Sequence, residues 1–217
     1  MDFSNVDQLR LVVVNLITLV LSITVHEFGH AIVADRLGDR LPRSQGRVTL
    51  NPLAHADPIG TLALPAFFML SGLGIGFGWG RPVMVNPGSF SRRFTVRTAH
   101  LLVAAAGPAM NLLFGIAISL LLFALYPNVI GVDVARAMYG AVMMNFVLMF
   151  FNLIPFPPLD GGTVLAGLLP RHMLPAWENI SRFGMFIVVL FMIPPMNQAF
   201  LWPARKLLTF WMGLLGL

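Results

Sequence analysis

The chain has 217 residues, of which 57% are hydrophobic and 11% charged, with a mean hydropathy of +0.81; that much apolar surface excludes a soluble domain of this size and points to an integral membrane protein. No cysteine is present, which excludes disulfides, thiolate metal ligands and a cysteine nucleophile. The net charge of +5 comes from thirteen arginines and one lysine against nine acids, with no basic run interleaved with aromatics, so nucleic acid is not an expected partner.

Residues 1–8 are short and acidic and lack the basic stretch and cleavage site of a signal peptide, so the first apolar segment is expected to stay in the protein. That segment is free of charge over 11–25 and continues to residue 34 through His26-Glu27-Phe28-Gly29-His30. Residues four apart share a helix face, so His26 and His30 can grip one zinc ion. Glu27 lies beside them and can act as general base for a water activated by the metal. Ionisable groups at the end of such an apolar run are costly in a bilayer and default to function.

Residues 35–57 carry Arg36, Arg40, Arg43 and Arg47. Within them, 43–50 reads either as a strand or short β-hairpin or as a solvated basic loop. An exposed strand edge there can pair with an extended substrate. His55 and Asp57 can line an access path, with capping before Pro58 the alternative for Asp57. The next charge-free window, 58–80, is broken by Pro65 and alternates Gly72, Gly74, Gly76, Gly78 and Gly80. A second basic stretch follows, with Arg81, Arg92, Arg93 and Arg97. The window 98–132 contains Gly107-Pro108-Ala109-Met110-Asn111, which suits close helix packing and an interhelical hydrogen bond. A short, nearly neutral loop is expected near Asp133. The window 137–159 runs into Asn152-Leu153-Ile154-Pro155-Phe156-Pro157-Pro158-Leu159-Asp160-Gly161-Gly162, where prolines break the helix and the glycines let the backbone turn. A last window, 183–204, is interrupted by Pro194, Pro195 and Pro203. It reads as one span followed by an interfacial helix, 206–217, or as two broken spans that gate the site.

Each window is long enough to cross a bilayer, which takes about 20 helical residues. The expectation is an all-α polytopic membrane protein of about four to six membrane segments, with a Gly/Pro-rich re-entrant element. It forms a single domain over 1–217, with a core at about 9–162 and C-terminal membrane segments at about 180–217.

Charge parity chooses between two topologies. If 58–80 crosses once, the two four-arginine loops lie on opposite sides, against the positive-inside rule; if it dips and returns, both lie in the cytoplasm. The rule favours the return, and non-helical backbone at depth is tolerated where it borders a hydrated site. From Arg10 to His26 is 16 residues, roughly 24 Å of helix, so the zinc motif lies toward the cytoplasmic end of the first span. A catalytic zinc usually takes three protein ligands, so a third His, Asp or Glu is needed. The remaining histidines are His55, His100 and His172; Asp160 stands out among the carboxylates, because the re-entrant topology returns it to the depth of His26 and His30.

His26-Glu-Phe-Gly-His30, Gly107-Pro108-Ala-Met-Asn111 and Asn152 through Gly161 together resemble the site-2 protease family of intramembrane zinc metalloproteases. The stretches Asn51 to Gly60 and Trp79 to Pro87 are similar to a short prokaryotic branch of it. No inserted PDZ-like domain and no nucleotide-sensing domain are visible in this sequence, nor a complete span ahead of the motif-bearing helix. The resemblance implies one Zn2+ per chain bound by His26, His30 and Asp160, Glu27 as general base and later proton donor, and Asn152 as an orienting or oxyanion-stabilising amide. It also implies a transmembrane protein substrate, and a multi-pass place in a prokaryotic inner membrane with the site toward the cytoplasm. Two other readings compete: an inactive binder of membrane segments, which needs no general base, and a metal transporter, which usually shows internal repeats that are not evident here.

Overall fold

In hydrocarbon the backbone has no water to bond to, so the charge-free runs close their hydrogen bonds within helices. The computed structural model describes residues 6–71, 78–193 and 195–217, and contains no β-strand among them. In chain order the helices are α1 (Val6–Arg36), α2 (Leu41–Ser44), α3 (Pro52–His55), α4 (Leu64–Leu70), α5 (Val96–Leu125), α6 (Val132–Asn152), α7 (Asp160–Leu168), α8 (Leu174–Ser181), α9 (Gly184–Met192) and α10 (Gln198–Leu215). A π-helical turn, Pro58–Ala63, leads into α4.

Three of these, α1, α5 and α6, are long and apolar enough to cross a membrane. The pair of 171–181 and α9 makes a fourth if it is one span, bent by 66°. Among the described residues the count is therefore three or four, at or just below the low end of the expected four to six. The helices α5, α6 and α10 enclose one core around Leu122, Val142, Phe146, Ala204, Leu208 and Met212. A polar tie joins α5 and α10 here: Trp211 Nε1 donates to Ser119 Oγ at 2.7 Å.

Four stretches are drawn more sharply than in the sequence reading. Residues 43–50 do not pair as a hairpin: Leu41–Ser44 is a helical turn and the rest are turn and bend residues. The arginines explain it, since Arg43 forms a two-pronged pair with Asp35, at 2.9 and 2.7 Å, and Arg47 donates to the Ala54 carbonyl. Arg43 thus holds the run against the end of α1 and Arg47 ties it to α3, and the alternation of Val48 and Leu50 has no partner strand among the described residues. The short loop near Asp133 is 126–131, and Asp133 itself sits in the first turn of α6, where a carboxylate complements the N-terminal end of the helix. The window 98–132 accordingly breaks at 126–131. Finally, of the two courses open for 183–204 the chain takes the broken one: α9 stops before Ile193 and α10 starts at Gln198, carrying Pro203 inside it. The proposed interfacial segment from 206 is thus the second half of α10, and its Leu208 and Met212 are buried in the core.

The segment 58–80 begins and ends at one place. Trp79 N–H donates to the Gly60 carbonyl at 3.1 Å, Thr61 Oγ1 to the Trp79 carbonyl at 2.7 Å, and Arg81 N–H to the His55 carbonyl at 2.7 Å. Gly72, Gly74 and Gly76 of the glycine alternation lie outside the described residues. Asp57 caps the π turn, accepting from Ile59 N–H at 3.0 Å and Gly60 N–H at 2.7 Å. After Arg81 the chain stays non-helical to Asn86, whose N–H donates to the buried Asp39 carboxylate at 2.6 Å. This anchors the run beside α1.

Candidate metal centre

The helices α1 and α5 run antiparallel and approach closely because glycine faces the neighbour on each. A Cβ on Gly29 would lie 2.7 Å from the Ala106 carbonyl oxygen; one on Gly107 would lie 2.7 Å from His26 Cε1 and nearer still to His30 Nε2. The four-residue spacing of the histidines is matched on α5 by Val103, Gly107 and Asn111. His30 Nδ1 meets the Val103 carbonyl at 2.7 Å, and His26 Nδ1 meets Asn111 Oδ1 at 2.6 Å. A carbonyl oxygen only accepts, so His30 carries its proton on Nδ1. Both Nε2 atoms then present lone pairs, and they face each other at 3.1 Å.

The third donor arrives from the other side of the break after α6. Asp160 opens α7, and the N-terminus of α7 is held against α5 from its far end. There Arg97 donates to the Ala166 carbonyl at 3.0 and 2.7 Å and also to the Leu169 carbonyl. Asp160 Oδ2 lies 3.1 Å from His26 Nε2 and 3.3 Å from His30 Nε2. It is buried and has no hydrogen-bond partner.

Two imidazole nitrogens and a carboxylate oxygen packed this closely repel one another unless a cation, a proton or a metal ion, joins them. The spacing suits zinc. A tetrahedron with bonds of about 2.0–2.1 Å has edges of about 3.3 Å, close to the separations found here. His26, His30 and Asp160 form the one metal-capable group of His, Asp and Glu among the described residues.

These residues border a cavity of about 460 Å³. Glu27 lines it, as does Asn152, whose Nδ2 donates one hydrogen to the Leu148 carbonyl at 2.9 Å. The opposite wall is the non-helical run, through Gly78, Trp79, Gly80, Pro82, Val83 and Val85. The five residues read from the sequence as a site are therefore gathered at one cavity.

Of the remaining histidines, His172 is exposed and His55 is fully buried with Nε2 against the Thr49 carbonyl at 2.9 Å, away from the cavity. His100 lines the cavity and sits edge-on to Phe90, a placement its sequence context did not suggest. Asn111 was read as a packing residue; its contact with a motif histidine is new. The signal was available in retrospect, because Gly107 and Asn111 repeat the four-residue interval of His26 and His30.

The model of peptidase family M50 matches residues 127–193, which include Asn152 and Asp160. The chain is 34% identical over 195 residues to "Putative zinc metalloprotease YwhC" of Bacillus subtilis, covering 86% of this chain and 83% of that protein. The chain belongs to peptidase family M50. It is also 32% identical over 184 residues to "Putative zinc metalloprotease Rip2" of Mycolicibacterium smegmatis, covering 81% of this chain and 64% of the relative. The Rip2 of Mycobacterium tuberculosis is 33% identical over 183 residues, with shares of 82% and 66%. No solved structure matches the chain. Membership of M50, the site-2 protease family, together with the apolar helices, makes this protein a membrane zinc metallopeptidase. A non-cutting binder and a metal transporter give way to that assignment.

Proposed function

We propose that this M50 metallopeptidase hydrolyses peptide bonds in or near transmembrane segments of membrane proteins, as in regulated intramembrane proteolysis, from a prokaryotic inner membrane with its site toward the cytoplasm. The observation that carries the reading is the convergence of His26 Nε2, His30 Nε2 and Asp160 Oδ2 within 3.3 Å of one another, at the end of a membrane-length helix. These three residues would hold zinc, which when bound lowers the pKa of water and polarises a carbonyl. Glu27 takes the proton of the attacking water and returns it to the leaving amine. Asn152 has spent one amide hydrogen on Leu148 and keeps the second for the developing oxyanion. The cavity between α1, α5 and the non-helical run admits water and an unwound stretch of substrate, whose peptide bonds a helix would hide.

Both basic loops then lie on the cytoplasmic side, and the meeting of residues 78–81 with 55–61 supports a re-entrant course for 58–80. A segment that crossed would part its ends by about the 30 Å of the hydrocarbon core. The native chain has no cysteine, so single introduced cysteines report sidedness directly. Gln45→Cys and Arg92→Cys are expected to react with an impermeant maleimide only from the cytoplasmic face, and Asn128→Cys only from the other. Labelling of Gln45→Cys and Arg92→Cys from opposite faces would sink the re-entrant course. The activity itself is tested with purified protein in detergent and a panel of single-span substrates. Chelation should stop cleavage, and zinc should restore it; cleavage that persists after complete zinc removal would refute the reading.

A further inference from the structure

Behind His26 lies a buried polar cluster to which the reaction above gives no part. Ser22 of α1, Asn111 of α5 and Asn145 of α6 are each at 0% exposure. Polar groups enclosed among membrane helices are costly unless partnered, and here the partners impose a direction. Asn111 Nδ2 donates to Asn145 Oδ1 at 3.0 Å and to the Ser22 carbonyl at 3.1 Å. Asn145 Nδ2 donates to Ser22 Oγ at 3.0 Å and to the Ala141 carbonyl at 2.9 Å. Ser22 Oγ in turn donates to the Thr18 carbonyl at 2.8 Å.

Neither amide can turn over. A flipped Asn111 would set its oxygen against the Ser22 carbonyl and Asn145 Oδ1; a flipped Asn145 would set its oxygen against the Ala141 carbonyl. Asn111 therefore offers His26 an oxygen, and an oxygen can only accept. The imidazole must donate from Nδ1 across the 2.6 Å contact, which leaves the Nε2 lone pair facing His30 and Asp160.

We infer that Asn111 is a positioning residue for His26: a one-way chain of donors, His26 to Asn111 to Asn145 to Ser22, fixes the tautomer and orientation in which His26 can bind zinc. The inference rests on the reading of His26 as a metal ligand. A donated Nδ1–H makes Nε2 the stronger ligand, and successive hydrogen bonds polarise one another. An asparagine that served only as glue between helices would have no need of this polarity.

The experiment uses the full chain in detergent. Zinc affinity is measured by chelator competition, the His26 tautomer by 15N shifts of the zinc-free protein, and helix content by circular dichroism. Asn111→Leu should lower zinc affinity roughly 10- to 100-fold and abolish the Nδ1–H signature of His26. Asn111→Asp keeps the acceptor and should retain the Nδ1–H signature, while its second oxygen, set against the Ser22 carbonyl and Asn145 Oδ1, should weaken the helix packing. Asn145→Leu leaves both the His26 contact and the Asn111 bond to the Ser22 carbonyl, so the Nδ1–H signature should persist while zinc affinity falls less than in Asn111→Leu. Wild-type affinity with an unchanged tautomer in Asn111→Leu would overturn the inference. If that variant does not fold, Asn111→Ala removes the same acceptor with a smaller side chain, and an unchanged tautomer there overturns the inference equally. His26→Ala separates the two levels of claim: zinc that binds wild type but not His26→Ala, and is indifferent to Asn111, refutes this inference alone. A wild-type protein whose zinc survives His26→Ala refutes the ligand set and this inference with it.

Discussion

Glu27→Gln is expected to keep one zinc per chain and to cut at least about a hundredfold more slowly than wild type. The two halves of that result come from different geometry. Zinc is retained because Glu27 is not among the convergent donors, which are His26, His30 and Asp160. The amide is close to the carboxylate in shape, and Glu27 stands beside Gly80 at the cavity wall, so the exchange need not disturb the metal ligands. Cutting is lost because an amide cannot take a proton from water at neutral pH. A positioned acid or base is worth about 10²–10⁴ in rate, or about 3–5 kcal/mol of barrier. Elemental zinc analysis and cleavage assays on the same preparations check both halves. Undiminished cutting would remove Glu27 from the reaction; loss of zinc would make it part of the metal site.

Asp160→Ala is expected to lose zinc itself, with affinity falling by more than the roughly 10- to 100-fold that losing an outer partner costs. Two histidines on one helix turn remain, too few for a three-ligand catalytic site. The loss should be local. The α7 helix is docked by Arg97 on the Ala166 and Leu169 carbonyls, contacts that do not involve Asp160. Helix content should therefore stay at the wild-type level while zinc after gel filtration drops well below one per chain. Full zinc occupancy in Asp160→Ala would show that another residue is the third ligand, and His100, which lines the same cavity, is the one to substitute next.

Much of the site was legible in the chain because ionisable residues are rare in it. Against an apolar background, two histidines and a glutamate within five residues carry information that they would lack on a soluble surface. Asp160 was reached through charge parity and the prolines ahead of it, and in the structure it opens α7 within 3.3 Å of both histidines. Ser22 and Asn145 were not legible. Each is a lone polar residue in a helical run, and such residues usually bond their own helix, as Ser22 does to Thr18. Their second role depends on partners 123 residues apart, for which no local pattern exists. At 43–50, where the sequence left a hairpin and a basic loop open, the structure shows turns and bends, because a weak local alternation is overridden by Arg43 and Arg47 bonding to groups elsewhere.

The membrane class, the three long spans and the metal motif follow from costs that act within one segment. Apolar side chains leave water, the backbone must bond to itself, and residues four apart share a face. Those costs are the same whatever the rest of the chain does, so they could be read along it. Three properties needed three dimensions: the joining of residues 78–81 to 55–61, the burial of α10 against α5 and α6, and the nitrogen by which each histidine faces the metal position. Each is settled by a partner far away in sequence. For His30 and His26 that partner is a carbonyl 73 residues away and an amide 85 residues away, and only helix packing determines which group stands there.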